Sequence, residues 1–490
     1  MTTHYLACDL GAESGRVMLG TLSDGRLTLE EIHRFPNITI RLGSSLRWDI
    51  LRTFDELKKG LAKVSQRGIA VQSLSVDSWG VDYVWSGLGQ EMLAPAYIYR
   101  DARTDATFAS ATARAGKDKI FAETGIQFMT FNTLYQLVAD LETSGALVRS
   151  ADGFLCIADY LNALFSGVRR MEESLASTTQ LYNPATRQWS KTLIQEFGFP
   201  EAIFPEIVPS GTVLGPLTPE VAAETGLSGA KVIATCSHDT GAAVAAVPAE
   251  PGDDWAYLSS GTWSLIGVEL PAPLINHDTR EANFTNEGGF GGTTRFLKNI
   301  VGLWILQECR RDWERLGESF DYATLNGLAA AAQPLQTLID PDDARFLKPG
   351  DMLAKIEAFA RETGQPVPST PGEFTRAILE SLALFYRATL AKIEGLSGRK
   401  IARLHIVGGG SQSALLNQFA ASATGRPVLA GPVEATAIGN ILIQALAGGQ
   451  LDSLAALRET VRSSFPIVAF QPADRALWEE AFARFEAIRR

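Results

Sequence analysis

"DLGAESGRV", residues 9–17, lies between two apolar runs, "YLACDL" (5–10) and "VMLGTL" (17–22). Strand, small-residue turn, strand is the reading that pattern supports. Turns of this kind can hold a phosphate on successive backbone N–H groups. Yet this one carries two carboxylates, Asp9 and Glu13, which repel an anion. A tight hairpin and one half of an anion cradle both remain open from these residues alone.

Outward from the loop, "SDG" (23–25) turns the chain into a third β-rich run, "RLTLEEIHRF" (26–35). Ile50, Phe54, Leu57, Leu61 and Val64 then recur at helical spacing, with Asp49 placed as the N-cap. "VQSLSVDSWGVDYVW" (71–85) returns to strand, so the chain opens β-β-β-α-β. From about 100 to 230 the pattern is mostly helical. "NTLYQLVADLETSG" (132–145) and "ADYLNALFSG" (158–167) should each end at their Gly. The Pro-rich stretch "GFPEAIFPEIVPSGTVLGPLTP" (198–219) reads as irregular. "KVIATCSHDTGAAVAAVP" (231–248) reads as a strand running into a small-residue helix.

At Ala256 the opening pattern restarts. "AYLSSGTWSLIGVEL" (256–270) is again strand, Gly/Ser turn, strand, which places a domain boundary near the "VPAEPGDD" loop (247–254). Residues 1–247 and 248–490 are the two lobes expected from that break. "ARLHIVGGG" (402–410) and "RPVLAG" (426–431) are strand-like and end in Gly, so the alternation predicts a mixed α/β architecture in two lobes.

Composition sets the class. The chain has 490 residues, 46% hydrophobic and 20% charged, as expected for a globular protein with a large core. Its net charge of −11 argues against a nucleic-acid surface, which needs a basic patch. Four cysteines far apart and without CxxC spacing suit buried thiols in a reducing cytoplasm. No run approaches the roughly 18 apolar residues of a membrane span. The sequence also lacks GxxxxGK[ST], HExxH and GxSxG, which disfavours P-loop NTPases, zincins and α/β-hydrolases. A dehydrogenase would need GxGxxG after the first strand, and "DLGAESG" does not supply it.

Three further stretches can carry chemistry. "SHDTG" (237–241) puts Asp239 at a strand end, either as a helix N-cap or as a carboxylate positioned to act as general base. "DSWGVDY" (77–83) groups Asp77, Trp79 and Asp82, which suits a polyol or a half-buried strand. "IVGGGSQSALLNQF" (406–419) is a strand, three glycines and an amphipathic helix, a pattern able to seat a phosphate at the helix start.

Taken in order, "DLGAESGRVMLG", "EIHRFPN", "RWDI", "DSWGVDY", "YRDART", "TGIQFMTFNTLYQL", "SHDT", "AYLSSGTWSLIG", "TNEGG", "LKNIVGLWILQ" and "LHIVGGGSQSALLNQF…AGPVEATAIGNI" resemble the rhamnulokinases, bacterial sugar kinases of the FGGY carbohydrate kinase family. The likeness runs from about residue 5 to 445 and lies in the combination of pieces. It implies an α/β fold of two actin-like (ribonuclease H-like) lobes with an active-site cleft between them, the N-terminal lobe binding sugar and the C-terminal lobe ATP. The activity implied is ATP-dependent phosphorylation of L-rhamnulose at O1, with Mg²⁺. By the same resemblance Asp239 is the catalytic base, and Gly80, His238, Thr240 and Asn299 are sugar-side positions. Ala12, Glu13, Ser14, Gly15, Arg16, Thr262, Gln307 and Gly409 are ATP-side positions, and Asp9 stands near the metal. Mg²⁺ would make Asp9 tolerable beside phosphate. Glu13 departs from the small polar residue expected there, so its side chain should turn away from the phosphates or pair with Arg16 or Lys298. Another ketose such as L-fuculose, D-ribulose or D-xylulose is the alternative substrate, and a non-catalytic sugar or ATP sensor the alternative class. The expected partners are ATP and a small ketose, with no nucleic acid and no membrane, for a monomer or homodimer.

Overall fold

The computed structural model describes residues 2–489. The chain divides into two compact units. The first comprises Met1–Glu250, Glu269–Phe296 and Ala435–Ser464, and the second Pro251–Val268, Leu297–Glu434 and Phe465–Arg490.

The first unit is built on a six-stranded sheet in the order Thr212–Pro216, Lys231–Ala234, Ser73–Ser78, Thr3–Leu10, Ser14–Ser23, Arg26–Pro36. Thr3–Leu10 pairs antiparallel with Ser14–Ser23, which sets Asp9 opposite Arg16. On its other edge it pairs parallel with Ser73–Ser78, which sets Asp9 beside Asp77. Tyr5, Leu6, Ala7 and Cys8 are all fully buried, as a strand covered on both faces requires. Helix Ile50–Gln66 covers one face, where a Cβ on Gly60 would meet Val17. Helix Ala435–Ala447 covers the other, where a Cβ on Gly20 would meet Ile441. The Asp49 side chain accepts from Arg52 N at 3.2 Å, the expected N-cap.

Three local expectations are corrected. The helix expected to stop at Gly145 runs Thr133–Ser150, with a non-helical residue at Ser144, because Val148 buries against the core. Part of the Pro-rich stretch, Thr212–Pro216, is an edge strand, a place where a proline breaks no ladder. "VQSLSVDSWGVDYVW" holds two short strands, Ser73–Ser78 and Tyr83–Ser86, broken between them at Val81, whose φ is 69°.

The second unit repeats the opening topology. Trp255–Ser260 pairs antiparallel with Trp263–Leu270 and parallel with Arg403–Val407. Val428–Ala430 and Val468–Phe470 extend the sheet beyond Arg403–Val407. A long helix, Pro371–Ser397, opens with a Thr370/Glu373 capping box and packs on Ala414–Thr424. The four cysteines are free and buried. Among the described residues no helix is long and apolar enough to cross a membrane.

Candidate active site

In the first unit the parallel strands Thr3–Leu10 and Ser73–Ser78, together with Lys231–Ala234, deliver their carboxyl ends to one edge. Ligands of open α/β sheets bind at such edges, because the loops there diverge and leave backbone groups free. Asp9 and Asp77 are in-register neighbours, so their side chains lie on the same face. Ser78 N donates to Ser237 O at 2.9 Å, which ties the "SHDT" segment to the same strand end.

Asp239 is the first residue of helix Asp239–Ala245 and His238 is its N-cap, without a side-chain capping bond. The N-cap reading of Asp239 is therefore corrected by one residue. Its Oδ1 accepts from Thr240 N at 2.6 Å. Burial raises its carboxyl to about 6; His238 opposes that rise and the Asp9 charge adds to it. Asp77 is fully buried, and burial, followed by the Asp9 charge, holds its carboxyl well above the ordinary range. Asn440 Nδ2 donates to its Oδ2 at 2.6 Å, while its Oδ1 has no hydrogen-bond partner.

Two buried carboxyls side by side, one oxygen still unsatisfied, fit a divalent cation that arrives with phosphates and keeps several waters. Asp9 and Asp77 would hold it, directly or through water. Among the described residues no cluster of three or more His, Cys, Asp or Glu side chains forms a cation cage. A divalent cation borne by a nucleotide does not need one.

The hairpin at residues 11–14 is closed by Gly11 N donating to Ser14 O at 2.9 Å. Asn37 braces it from the third strand, its Nδ2 donating to Gly11 O at 3.0 Å. Gly15 has no room for a side chain, since a Cβ would lie 2.3 Å from the Phe35 ring. Arg16 forms an ion pair with Asp9, and Lys298 one with Asp342 at 3.6 Å. Glu13 is exposed at the tip. Glu13→Ser is expected to change the KM for ATP by no more than about twofold, as an exposed loop substitution should; a collapse in ATP affinity would contradict this.

Gly80 lies in the strained turn before Val81, where a Cβ would sit 2.9 Å from Thr178 Oγ1. Asp82, two residues on, is fully buried. Its carboxylate accepts from Trp48 Nε1 at 2.7 Å, Trp79 Nε1 at 2.9 Å, Tyr99 N at 3.2 Å and Gln136 Nε2 at 3.2 Å. It fixes two indoles whose rings lie 4.5 Å apart, so its role is to hold the wall behind Gly80.

In the second unit Gln307 Nε2 donates to Thr262 Oγ1 at 3.2 Å, and Trp304 N donates to Thr262 O at 3.0 Å. The turn of the repeated hairpin is thereby joined to the start of helix Trp304–Arg315. Of the three glycines at residues 408–410, Gly408 and Gly410 pass against Ser260. A Cβ on Gly410 would lie 2.0 Å from Ser260 Oγ, whereas one on Gly409 would meet open space. Asn299 is half-buried on the strand Thr294–Val301. Gly80, His238, Thr240 and residues 12–16 lie in the first unit, and Thr262, Asn299, Gln307 and Gly409 in the second.

Two groups of residues escaped the sequence reading. Glu172, fully buried, accepts from Ser237 N at 3.0 Å and Ser174 N at 2.9 Å, and Ser174 Oγ in turn accepts from His238 N at 3.0 Å. The backbone that carries Asp239 is thus pinned from behind. Arg295, also fully buried, donates to His238 Nδ1 and to Thr240 Oγ1, each at 3.1 Å. Neither has a local motif. Glu172 stands in "RRMEES" (169–174) and Arg295 in "GGTTRFLK" (291–298), polar surroundings that give no sign of burial; a charge is buried only when paired, and the pairing is tertiary.

Residues 4–246 match the model of the FGGY family of carbohydrate kinases, N-terminal domain, and residues 256–448 that of its C-terminal domain. A rhamnulokinase of Bacteroides thetaiotaomicron is 44% identical, with 99% of each chain covered. Those of Enterococcus faecalis (42%, 95% of this chain and 94% of that one) and Bacillus subtilis (39%, 96% of each) are similar over nearly the same span. In fold the chain is similar to a ligand-bound xylulose kinase from Lactobacillus acidophilus, with a TM-score of 0.84 at 15% identity, covering 99% and 98% of the two chains. It is also similar to Plasmodium falciparum glycerol kinase with ADP, with a TM-score of 0.78 at 14% identity, covering 99% and 97%. The architecture is the two-domain, actin-like (ribonuclease H-like) one of sugar kinases. From these matches over almost its whole length, the chain belongs to the FGGY family of carbohydrate kinases.

Proposed function

We propose that the protein is an ATP-dependent rhamnulokinase, transferring the γ-phosphoryl group of ATP to O1 of L-rhamnulose to give L-rhamnulose 1-phosphate and ADP. The observation that carries the reading is 44% identity to a rhamnulokinase over 99% of both chains. The half-buried Asp239 carboxyl at the strand-end edge, raised to about 6 chiefly by desolvation, supports the chemistry.

Phosphoryl transfer asks the protein for alignment and charge, with little covalent work. Asp239 accepts the proton of the attacking hydroxyl. Gly80, His238, Thr240 and Asn299 hold the ketose, and His238 and Thr240 stand beside the base as hydrogen-bonding partners for sugar oxygens. The loop Ala12–Arg16 with Thr262, Gln307 and Gly409 holds the nucleotide. Mg²⁺, when bound near Asp9, supplies charge neutralisation to the phosphate oxygens. In this reading the domain of residues 1–247 is chiefly the sugar-binding one and that of 248–490 chiefly the ATP-binding one.

ADP release, measured with L-rhamnulose, L-fuculose, L-ribulose, D-ribulose and D-xylulose, tests the substrate. A clear preference in kcat/KM for L-rhamnulose is expected; preference for another ketose overturns the substrate, and no turnover on any overturns the kinase. The pH profile tests the base. A base must be unprotonated, and more than half of Asp239 is protonated below pH about 6. The rate should therefore be flat near neutrality and fall towards tenfold per pH unit below about 6. A profile flat down to the ordinary carboxylate range would argue against Asp239.

A further inference from the structure

The buried Arg295 decides which nitrogen of a site histidine carries the proton. Its Nε donates to Gly288 O at 2.9 Å and its Nη1 to Thr240 Oγ1 at 3.1 Å. Its Nη2 lies 3.1 Å from His238 Nδ1 and 3.1 Å from Glu287 Oε2. A guanidinium has five N–H donors and no lone pair. Where it meets Nδ1, the ring nitrogen must accept, and the single proton of a neutral imidazole is left to Nε2.

Glu287 Oε2, 3.4 Å from Nδ1, favours the opposite tautomer. It is the weaker claim, because that contact is longer and the same oxygen is paired with Arg295. A proton on Nδ1 would also be brought against Arg295 Nη2 at 3.1 Å, which has no lone pair to accept it. Thr240 Oγ1 lies 3.3 Å from Nδ1 and 3.1 Å from Nε2 and so favours neither tautomer, whereas a proton on Nε2 stands on the side of Asp239 Oδ1, at 3.5 Å.

We propose that Arg295 is a positioning residue that locks His238 in the Nε2–H tautomer, so that the ring offers a donor and no acceptor to Asp239 and to a sugar oxygen. The part concerning sugar rests on the kinase reading above; the part concerning the tautomer does not. A donor at Nε2 favours the ionised Asp239 that a base requires. It also selects a sugar that presents an oxygen acceptor there over an analogue lacking one, since the unmatched donor would be left buried.

The test is a ring-nitrogen NMR spectrum of the full-length protein labelled with 15N-histidine, without substrates. The chain has five histidines, so His238 is assigned by the signal lost in His238→Asn. The wild-type ring should show a bare Nδ1 and a protonated Nε2 at neutral pH. A proton on Nδ1, or on both nitrogens, overturns the proposal whatever sugar the enzyme uses. Arg295→Gln, whose amide can either donate or accept, should give a mixture of tautomers and lower kcat/KM for the ketose roughly 10- to 100-fold, with the KM for ATP unchanged. An Arg295→Gln spectrum identical to wild type also overturns it. Arg295→Lys, which keeps a cationic donor, should restore the Nε2–H form in part, and the wild-type spectrum decides even where a variant fails to fold.

Discussion

Asp239→Asn is expected to lower kcat by about 10²–10⁴-fold, the usual contribution of a general base, while raising the thermal stability of the protein. The two effects have one cause. Burial lifts this carboxyl from its ordinary 3.8 to about 6. The native state therefore binds the proton more tightly than the unfolded chain between those values. The stability this carboxyl can contribute is complete below about pH 3.8 and is lost as pH rises through about 6. At neutral pH the ionised side chain is a burden on the fold that Asn does not impose. Catalysis and stability pull in opposite directions here, as is common where a site is kept strained for function. The measurements are ADP release, calorimetric binding of ketose and ATP, and Tm at pH 7. Near-normal turnover would remove Asp239 from the mechanism, and a lowered Tm would remove the burial argument.

Gly439→Ala is expected to destabilise the protein by about 1–3 kcal/mol, the scale of overpacking a close-fitting core, and to lower kcat with it. Gly439 sits in helix Ala435–Ala447, where it faces helix Asp239–Ala245. A Cβ there would lie 1.9 Å from Ala242 O and 2.6 Å from Ala242 C. Both atoms are backbone, so no rotamer change relieves the contact and one helix must move. The gain in helix propensity from Gly to Ala, about 1 kcal/mol, opposes the loss without cancelling it. Displacement would reach chemistry by two routes, since Ala242 is one turn from Asp239 and the neighbouring Asn440 holds Asp77 at 2.6 Å. Gly327→Ala is the control. It lies in helix Tyr322–Ala331, where a Cβ meets open space, and should stabilise by about 0.4–1 kcal/mol. Thermal or denaturant unfolding of both variants checks the pair; equal stability of Gly439→Ala and the parent would refute the packing argument.

What the sequence determined by itself is local and periodic. The "DLGAESGRV" hairpin, its echo at "AYLSSGTWSLIGVEL" and the Asp49-capped helix were legible because strand alternation, turn residues and caps act within a few positions. "SHDTG" was legible as a strand end entering a helix, although the cap is His238, one residue before the Asp239 that the cap reading named. The match of ordered motifs to the FGGY kinases added the fold of two actin-like lobes, which no periodicity reveals.

Only the tertiary structure decided what surrounds Asp239. Arg295 reaches His238 across 57 positions of sequence, and Asn440 reaches Asp77 across 363. From the sequence Asp82 suited either a polyol or a half-buried strand, and its carboxylate accepts from two indoles, those of the neighbouring Trp79 and the distant Trp48. Buried polar groups must find partners wherever the chain crossing supplies them. Which partner that is depends on how helices and strand ends pack, and residue types read in order along the chain do not record it.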